Sequence, residues 1–223
     1  MKVCIVVPVY NERSRAVDTV KKILKFSKSL VVVVDDGSSD DSYKLLNDEF
    51  GGICRVRILR HMINLGKGAA MKTGVAMAWK LRAEAVIFID SDGQHNPKYL
   101  PEFEKALEES NLVFGYRDFD GRMPYVRRWG NKMVVVLVRQ MFNVRRKDLL
   151  CGFFAFRSEI YDKIYWDSSR YGVETEIATR VGKNKLDFSE LKIDTIYLDE
   201  YKGVSFLDAV RILSSIPFWF FRK

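Results

Sequence analysis

The sequence predicts an α/β fold with a mostly parallel central sheet flanked by helices. Three observations point there. Short, β-branched or apolar runs recur at 3–9, 30–34, 55–59, 85–89 and 112–114. Segments of helical period separate them, and that alternation is the signature of a parallel sheet. Acid-rich polar clusters follow the runs rather than precede them, so they fall at the carboxyl ends of the strands, where such sheets bind ligands.

In chain order, residues 3–9 form a continuous apolar run that reads as a strand buried on both faces. Pro8 lies near its end, where a missing N–H costs least. Tyr10-Asn11-Glu12 make the following loop. Ala16, Val17, Val20, Ile23, Leu24 and Phe26 repeat at helical spacing over 13–27. The strand at 30–34 ends at Asp35-Asp36-Gly37-Ser38-Ser39-Asp40, where Ser39 or Asp40 is suited to cap a helix reaching Phe50. A third strand covers 55–59. Asn64-Leu65-Gly66-Lys67-Gly68 leads into a helix over 69–81. The strand at 85–89 runs into Asp90-Ser91-Asp92-Gly93-Gln94-His95, and Pro97 opens a helix to Ser110. A short strand follows at 112–114.

The second half is less regular. Residues 115–128 read as a polar loop, 129–142 as a helix and 151–156 as a strand. Residues 174–181 form a short helix, 186–198 alternate like a strand, and 206–221 make a final amphipathic helix. The expected organisation is one domain over 1–203, with a first half at 1–116 and a second at 117–203, then the helix of 204–223.

The chain has 223 residues, 48% apolar and 30% charged, a composition that argues against disorder. Its three cysteines are scattered, with neither zinc spacing nor a disulfide pattern, which suits a reducing compartment. Nothing reads as a signal peptide, and no stretch approaches the ~20 apolar residues that span a bilayer. The net charge is +8, and residues 115–147 hold nine Lys or Arg and two Asp, a net of +7. Such a strip points to phosphates on nucleic acid, on an anionic membrane or on a substrate. The last residues, Phe218-Trp219-Phe220-Phe221-Arg222-Lys223, suit either a membrane interface or docking on the sheet.

Asp90 and Asp92 are two repelling carboxylates one residue apart at a strand end, and they ask for a cation. A hard divalent ion, with phosphates in its shell, answers that demand. Alone, a D-x-D is as consistent with a solvated Asx turn. Asp35 and Asp36 put two adjacent acids at the sheet mouth, where a carboxylate can accept hydrogen bonds from a base or ribose. Tyr10 has the more usual fate of a half-buried core aromatic, with stacking on a base as the alternative. Lys67 at a helix start faces either a phosphate or solvent, and the missing G-x-x-x-x-G-K-S/T excludes a P-loop. His95 and His61 lack triad or zinc spacing, and a turn-stabilising role suits His95. Cys151 reads as a packed small residue.

In this order the motifs Pro8-Val9-Tyr10-Asn11-Glu12, Asp35-Asp36-Gly37-Ser38, Asn64-Leu65-Gly66-Lys67-Gly68 and Asp90-Ser91-Asp92-Gly93-Gln94-His95 resemble glycosyltransferase family 2, the inverting enzymes of GT-A fold. The nearest branch is the polyprenyl-phosphate sugar transferases similar to dolichol-phosphate mannosyltransferase. Gly115-Tyr116-Arg117 and the segment from Asp148 to Arg157, with Cys151-Gly152-Phe153, also match that branch.

The resemblance implies that Pro8, Tyr10, Glu12, Val34 and Asp36 hold the base and ribose of a nucleotide sugar. Lys67, Asp90, Ser91 and Asp92 would complete the donor site. Asp90, Asp92 and Gln94 would bind Mg2+ or Mn2+ and the diphosphate, and Asp92 and Arg117 would be catalytic. Arg117 would contact phosphate near the reacting centre; Arg127 and Arg128, argued from charge, would grip the acceptor. The branch's R-x-x-G-x-S-K segment appears here with Gly203 and Ser205 but without its flanking Arg and Lys, and Lys202 would substitute.

The expected reaction moves mannose or glucose from a GDP- or UDP-linked donor to a polyprenyl or dolichyl phosphate. That acceptor is already ionised, so no general base is required. A glycan or small-molecule hydroxyl would need one, with Asp148 or Glu174 as candidates. Nucleic acid is not an expected partner, because acids at the sheet mouth repel phosphodiesters. The expected location is the cytoplasm, peripherally on the membrane face.

Overall fold

The computed structural model describes residues 1–117, 139–142, 144, 146–170, 172–194 and 196. Seven strands form one sheet: β1 (Val3–Val9), β2 (Leu30–Asp35), β3 (Val56–Arg60), β4 (Ala85–Phe88), β5 (Leu112–Arg117), β6 (Phe154–Arg157) and β7 (Ser189–Ile193). The order is β3-β2-β1-β4-β6-β5-β7, and every pairing is parallel except those of β6 with β4 and β5.

Helices α1 (Ser14–Phe26), α2 (Ser42–Phe50), α3 (Lys67–Lys80), α4 (Leu100–Glu109), α5 (Tyr161–Ile164) and α6 (Val173–Lys183) flank the sheet. Side chains alternate across a strand, and β1 uses both faces. Val3, Ile5, Val7 and Val9 join a core with Val20 of α1 and Phe103 of α4. Cys4 and Val6 join a second core with Met71 of α3, Phe88, Trp166 and Ile177 of α6. Each fully buried large apolar side chain contributes roughly 1.5–3 kcal/mol.

The strand order reverses at β1, which has β2 on one side and β4 on the other. At such a point the following loops diverge and leave a crevice. The β1–α1 and β2–α2 loops that border it are latched together. The Ser42 hydroxyl accepts the N–H groups of Glu12 at 3.0 Å and Arg13 at 2.7 Å. Asn11 Oδ1 accepts Ser39 N–H at 2.9 Å. These bonds hold Asn11 and Arg13 at φ of 55° and 47°, a conformation that costs non-glycine residues of the order of 1 kcal/mol or more each.

Several boundaries differ from the sequence reading. α3 begins at Lys67, two residues early, because Gly66 is the last non-helical residue. The Ser42 N–H that opens α2 bonds to Asp40 Oδ1 at 3.0 Å, so Asp40 supplies the capping oxygen from one residue before the N-cap, Asp41. A 3-10 turn at Pro97–Tyr99, capped by Asn96, precedes α4. The strand expected at 151–156 starts later and runs antiparallel as Phe154–Arg157, and of the one expected at 186–198 the described strand is Ser189–Ile193. Of the helix expected at 129–142, only 139–142 is described, and it is helical. The helix expected at 206–221 lies outside the described residues. Among the described residues no helix is long and apolar enough to cross a membrane.

Candidate active site

A cavity of about 890 Å3 opens at the carboxyl ends of β1, β2 and β4. The sequence-predicted residues Pro8, Tyr10, Glu12, Asp36, Lys67, Asp90, Ser91 and Asp92 line it, joined by Asn64, Gly66 and Arg170. Its volume falls within the range of small-molecule sites.

One end is built on Asp36. Its Oδ1 accepts Leu65 N–H at 3.0 Å and its Oδ2 accepts Gly66 N–H at 2.7 Å. His61 Nδ1 lies 2.7 Å from Oδ1, and His61 Nε2 lies 2.9 Å from the Thr73 hydroxyl. The adjacent acids therefore part company. Asp36 faces the cavity, whereas Asp35 is fully buried and pairs with Arg60 at 3.3 Å. Tyr10 is 46% exposed at the rim, not packed in the core. Val34 is fully buried beside Pro8 and does not line the cavity.

The other end holds the D-x-D. The Ser91 hydroxyl donates to Pro8 O at 2.9 Å, and the Thr19 hydroxyl donates to Ser91 O at 3.2 Å, fixing the loop to β1 and α1. Gln94 N–H donates to Asp92 Oδ1 at 2.9 Å. Lys67 Nζ sits 2.6 Å from Asp90 Oδ1 and 2.7 Å from Glu174 Oε1. Burial works against the Lys67 ammonium, but the charges of Asp90 and Glu174 outweigh it and raise its pKa. For Asp90 the same competition, with Lys67 the leading favourable charge, holds the carboxylate below its ordinary range. Asp92 goes the other way. Burial first, and the charge of Asp90 second, push it up to about 6.

That contrast is the excess negative charge a divalent cation relieves. Among the described residues no group of three or more His, Cys, Asp or Glu surrounds this point. Two carboxylates with an open remainder suit a hard cation that completes its shell with phosphate oxygens and water. Asp90 and Asp92 therefore fit Mg2+ or Mn2+.

Beneath the D-x-D, His95 is buried with its Nδ1 3.8 Å from Asp90 Oδ2 and its ring beside Phe153. Burial lowers its pKa to about 4, so it is neutral. The Cys151 thiol, 3.9 Å from His95 Nε2, is pushed up to about 12 by burial and is no nucleophile. Gly152 explains its motif: a side chain there would run into Asp90 and Lys67 Nζ.

Arg117 does not line the cavity. Its Nε and Nη2 donate to Asp148 at 2.7 and 3.2 Å in a buried fork. Arg127, Arg128 and Lys202 lie outside the described residues. Sequence reading did not single out Arg170, which comes from an aperiodic run, Asp167-Ser168-Ser169-Arg170, with no motif to mark it.

Residues 4–165 match the model of glycosyl transferase family 2. The chain is 32% identical over 223 residues to an uncharacterised protein of Methanocaldococcus jannaschii, covering 95% of this chain and 89% of that one. It is 25% identical to the UDP-N-acetylglucosamine–dolichyl-phosphate N-acetylglucosaminyltransferase of Methanococcus voltae, covering 87% and 86%. It is 29% identical to the undecaprenyl-phosphate 4-deoxy-4-formamido-L-arabinose transferase of Proteus mirabilis, covering 72% of this chain and half of that one. Glucosyl-3-phosphoglycerate synthase from Mycobacterium tuberculosis, solved with Mn2+, UDP and phosphoglyceric acid, superimposes with a TM-score of 0.78 over 100% of this chain and 79% of that one. At 17% identity that likeness establishes the GT-A fold alone. A crevice that gathers the motif acids at the strand ends, on this fold and with these relatives, makes the chain an enzyme of glycosyltransferase family 2.

Proposed function

We propose that the enzyme transfers a hexose, mannose or glucose, from a GDP- or UDP-linked donor to a polyprenyl or dolichyl phosphate, with inversion at the anomeric carbon. The observation that carries this reading is the two-ended cavity, with hydrogen-bonding groups for a nucleoside at Asp36 and a diphosphate–metal end at Asp90 and Asp92. The solved relative with Mn2+ and UDP supports the donor end. The relatives named for dolichyl- and undecaprenyl-phosphate transfer support the acceptor.

Pro8, Tyr10, Glu12 and Asp36 hold base and ribose in this reading, with Val34 shaping the floor behind them. Asp90 and Asp92, with Gln94, hold Mg2+ or Mn2+. When bound, that ion stabilises charge on the departing nucleoside diphosphate. Lys67 neutralises Asp90 and keeps the carboxylate in place. Ser91 fixes the distance from the acids to the Pro8 backbone. An ionised acceptor phosphate attacks without a general base, consistent with a neutral, buried His95. Arg117, beside Asp148, contributes positive potential toward Asp90. Arg127, Arg128 and Lys202 contribute to the acceptor side. The basic strip and the C-terminal segment bring the enzyme to an anionic membrane face.

A hydroxyl acceptor is the second reading; its candidate base Glu174 lies beside Asp90 but is itself paired with Lys67 at 2.7 Å. Asp148, locked to Arg117, is not available as the base. Incubation with labelled nucleotide sugars, Mn2+ and polyprenyl phosphate separates the two. Label in an organic-extractable product is expected. Label confined to water-soluble glycan would replace the first reading by the second.

A further inference from the structure

Two basic side chains line the cavity among the described residues, Lys67 and Arg170, and their surroundings differ. Lys67 is held between two carboxylates at 2.6 and 2.7 Å. Arg170 is exposed and has no hydrogen-bond or ion-pair partner among the described residues. Its charge is available to a ligand, whereas that of Lys67 is already matched. The other charged groups lining the cavity, Glu12, Asp36, Asp90 and Asp92, are all acids. A nucleoside diphosphate entering this space meets four carboxylates against two cations; a single divalent ion offsets that excess and leaves the charge of the diphosphate itself to be met.

The position of Arg170 is built, not incidental. Glu176 is fully buried, and its carboxylate accepts the N–H groups of Asp167 and Ser168, both at 2.9 Å. Arg180 closes the same carboxylate from α6, at 3.1 Å, and reaches Asp167 at 2.7 Å. Trp166, also buried, donates its indole N–H to Gly68 O at 3.0 Å. Ala69 N–H reaches Ser169 O at 3.3 Å. Segment 166–170 is thus strapped across the start of α3. Gly66 permits the approach: a side chain there would meet the Ser169 carbonyl and Arg170 Cγ. The stem of Arg170 therefore crosses Gly66, whose N–H is bonded to Asp36 and whose next neighbour, Lys67, is bonded to Asp90. Gly66 and Arg170 line the same cavity as Asp36 and Asp90 at its two ends.

We propose that Arg170 is a binding residue for the phosphate groups of the donor, presented by a strap that Glu176 holds in place. The proposal rests on the nucleotide-sugar reading above. A guanidinium suits the task because its planar donors match phosphate oxygens two at a time.

Titration calorimetry of the full chain in Mn2+ with UDP and with GDP tests it. Arg170→Ala is expected to raise the Kd of the preferred diphosphate roughly tenfold or more, the loss of a charge-assisted contact. Arg170→Lys should recover part of that loss, and the melting midpoint should stay at the wild-type value. A Kd for Arg170→Ala within about twofold of wild type overturns the proposal and leaves the donor site standing. A lowered midpoint that Arg170→Lys fully repairs would assign the residue to packing of the strap instead. If the wild type binds neither diphosphate, the donor reading fails and Arg170 with it.

Discussion

Lys67 Nζ lies 2.6 Å from Asp90 Oδ1, so an internal ammonium occupies one side of the acid pair. It partly offsets the repulsion between Asp90 and Asp92 while leaving Asp92 open. Lys67→Met removes that charge and leaves Asp90 and Glu174 without it. In the metal-free protein this should cost about 2 kcal/mol, discounted for the partial exposure of the pair. The melting midpoint should fall by roughly 4–8 °C. Saturating Mn2+ should raise the midpoint of the variant more than that of wild type. Equal Mn2+ shifts would show that the lysine does not share the task of a bound cation.

Asp148→Asn removes the partner of a buried arginine. At neutral pH it should destabilise by about 3 kcal/mol, since Arg117 keeps its charge and loses its acceptor. Burial opposes the Asp148 carboxylate, but Arg117 outweighs it and holds its folded pKa below the ordinary value. The unfolded chain thus binds this proton more readily than the folded one. The stabilisation is present above the ordinary carboxylate range near 4 and is lost as pH falls through the folded value. Urea unfolding at descending pH should show the wild-type and variant stabilities converging below about pH 4. A gap that stays constant with pH would contradict this.

Arg146 poses the opposite problem. It is 4% exposed over the Phe114 ring, and among the described residues none of its three guanidinium nitrogens has a hydrogen-bond partner. Burial lowers its pKa to about 10. A desolvated polar group without a partner costs stability, so Arg146→Met, similar in length and apolar, should stabilise the fold by about 1–3 kcal/mol. The urea midpoint should rise with an unchanged slope. A fall would mean that the arginine is paired in solution.

Much of the fold was legible because the parallel strands are buried on both faces and carry uninterrupted apolar runs. Strand, loop and helix positions through Phe114 follow from that pattern. The reversed direction of β6 was not legible, because Phe154-Ala155-Phe156 reads the same either way; its partners β4 and β5 decide its direction. The acids of the cavity were visible because each lies in the loop that follows a strand. The distinct fates of Asp35 and Asp36 were not, since they depend on Arg60, His61 and the Leu65–Gly66 backbone, which approach only in the folded chain. Arg170 was invisible for the same reason. Its place depends on Glu176 and Trp166, buried groups with no local signal around the arginine.

The central claim is that Asp90 and Asp92 form the metal and diphosphate end of a nucleotide-sugar site. Asp92→Ala tests it most directly, by calorimetric titration with Mn2+ and UDP or GDP. The variant should melt at or above the wild-type midpoint, because it removes an acid that burial and Asp90 disfavour. It should also show no metal-dependent binding of either nucleoside diphosphate, where the wild type binds one of them. Metal-dependent binding by Asp92→Ala with the wild-type Kd would contradict the assignment.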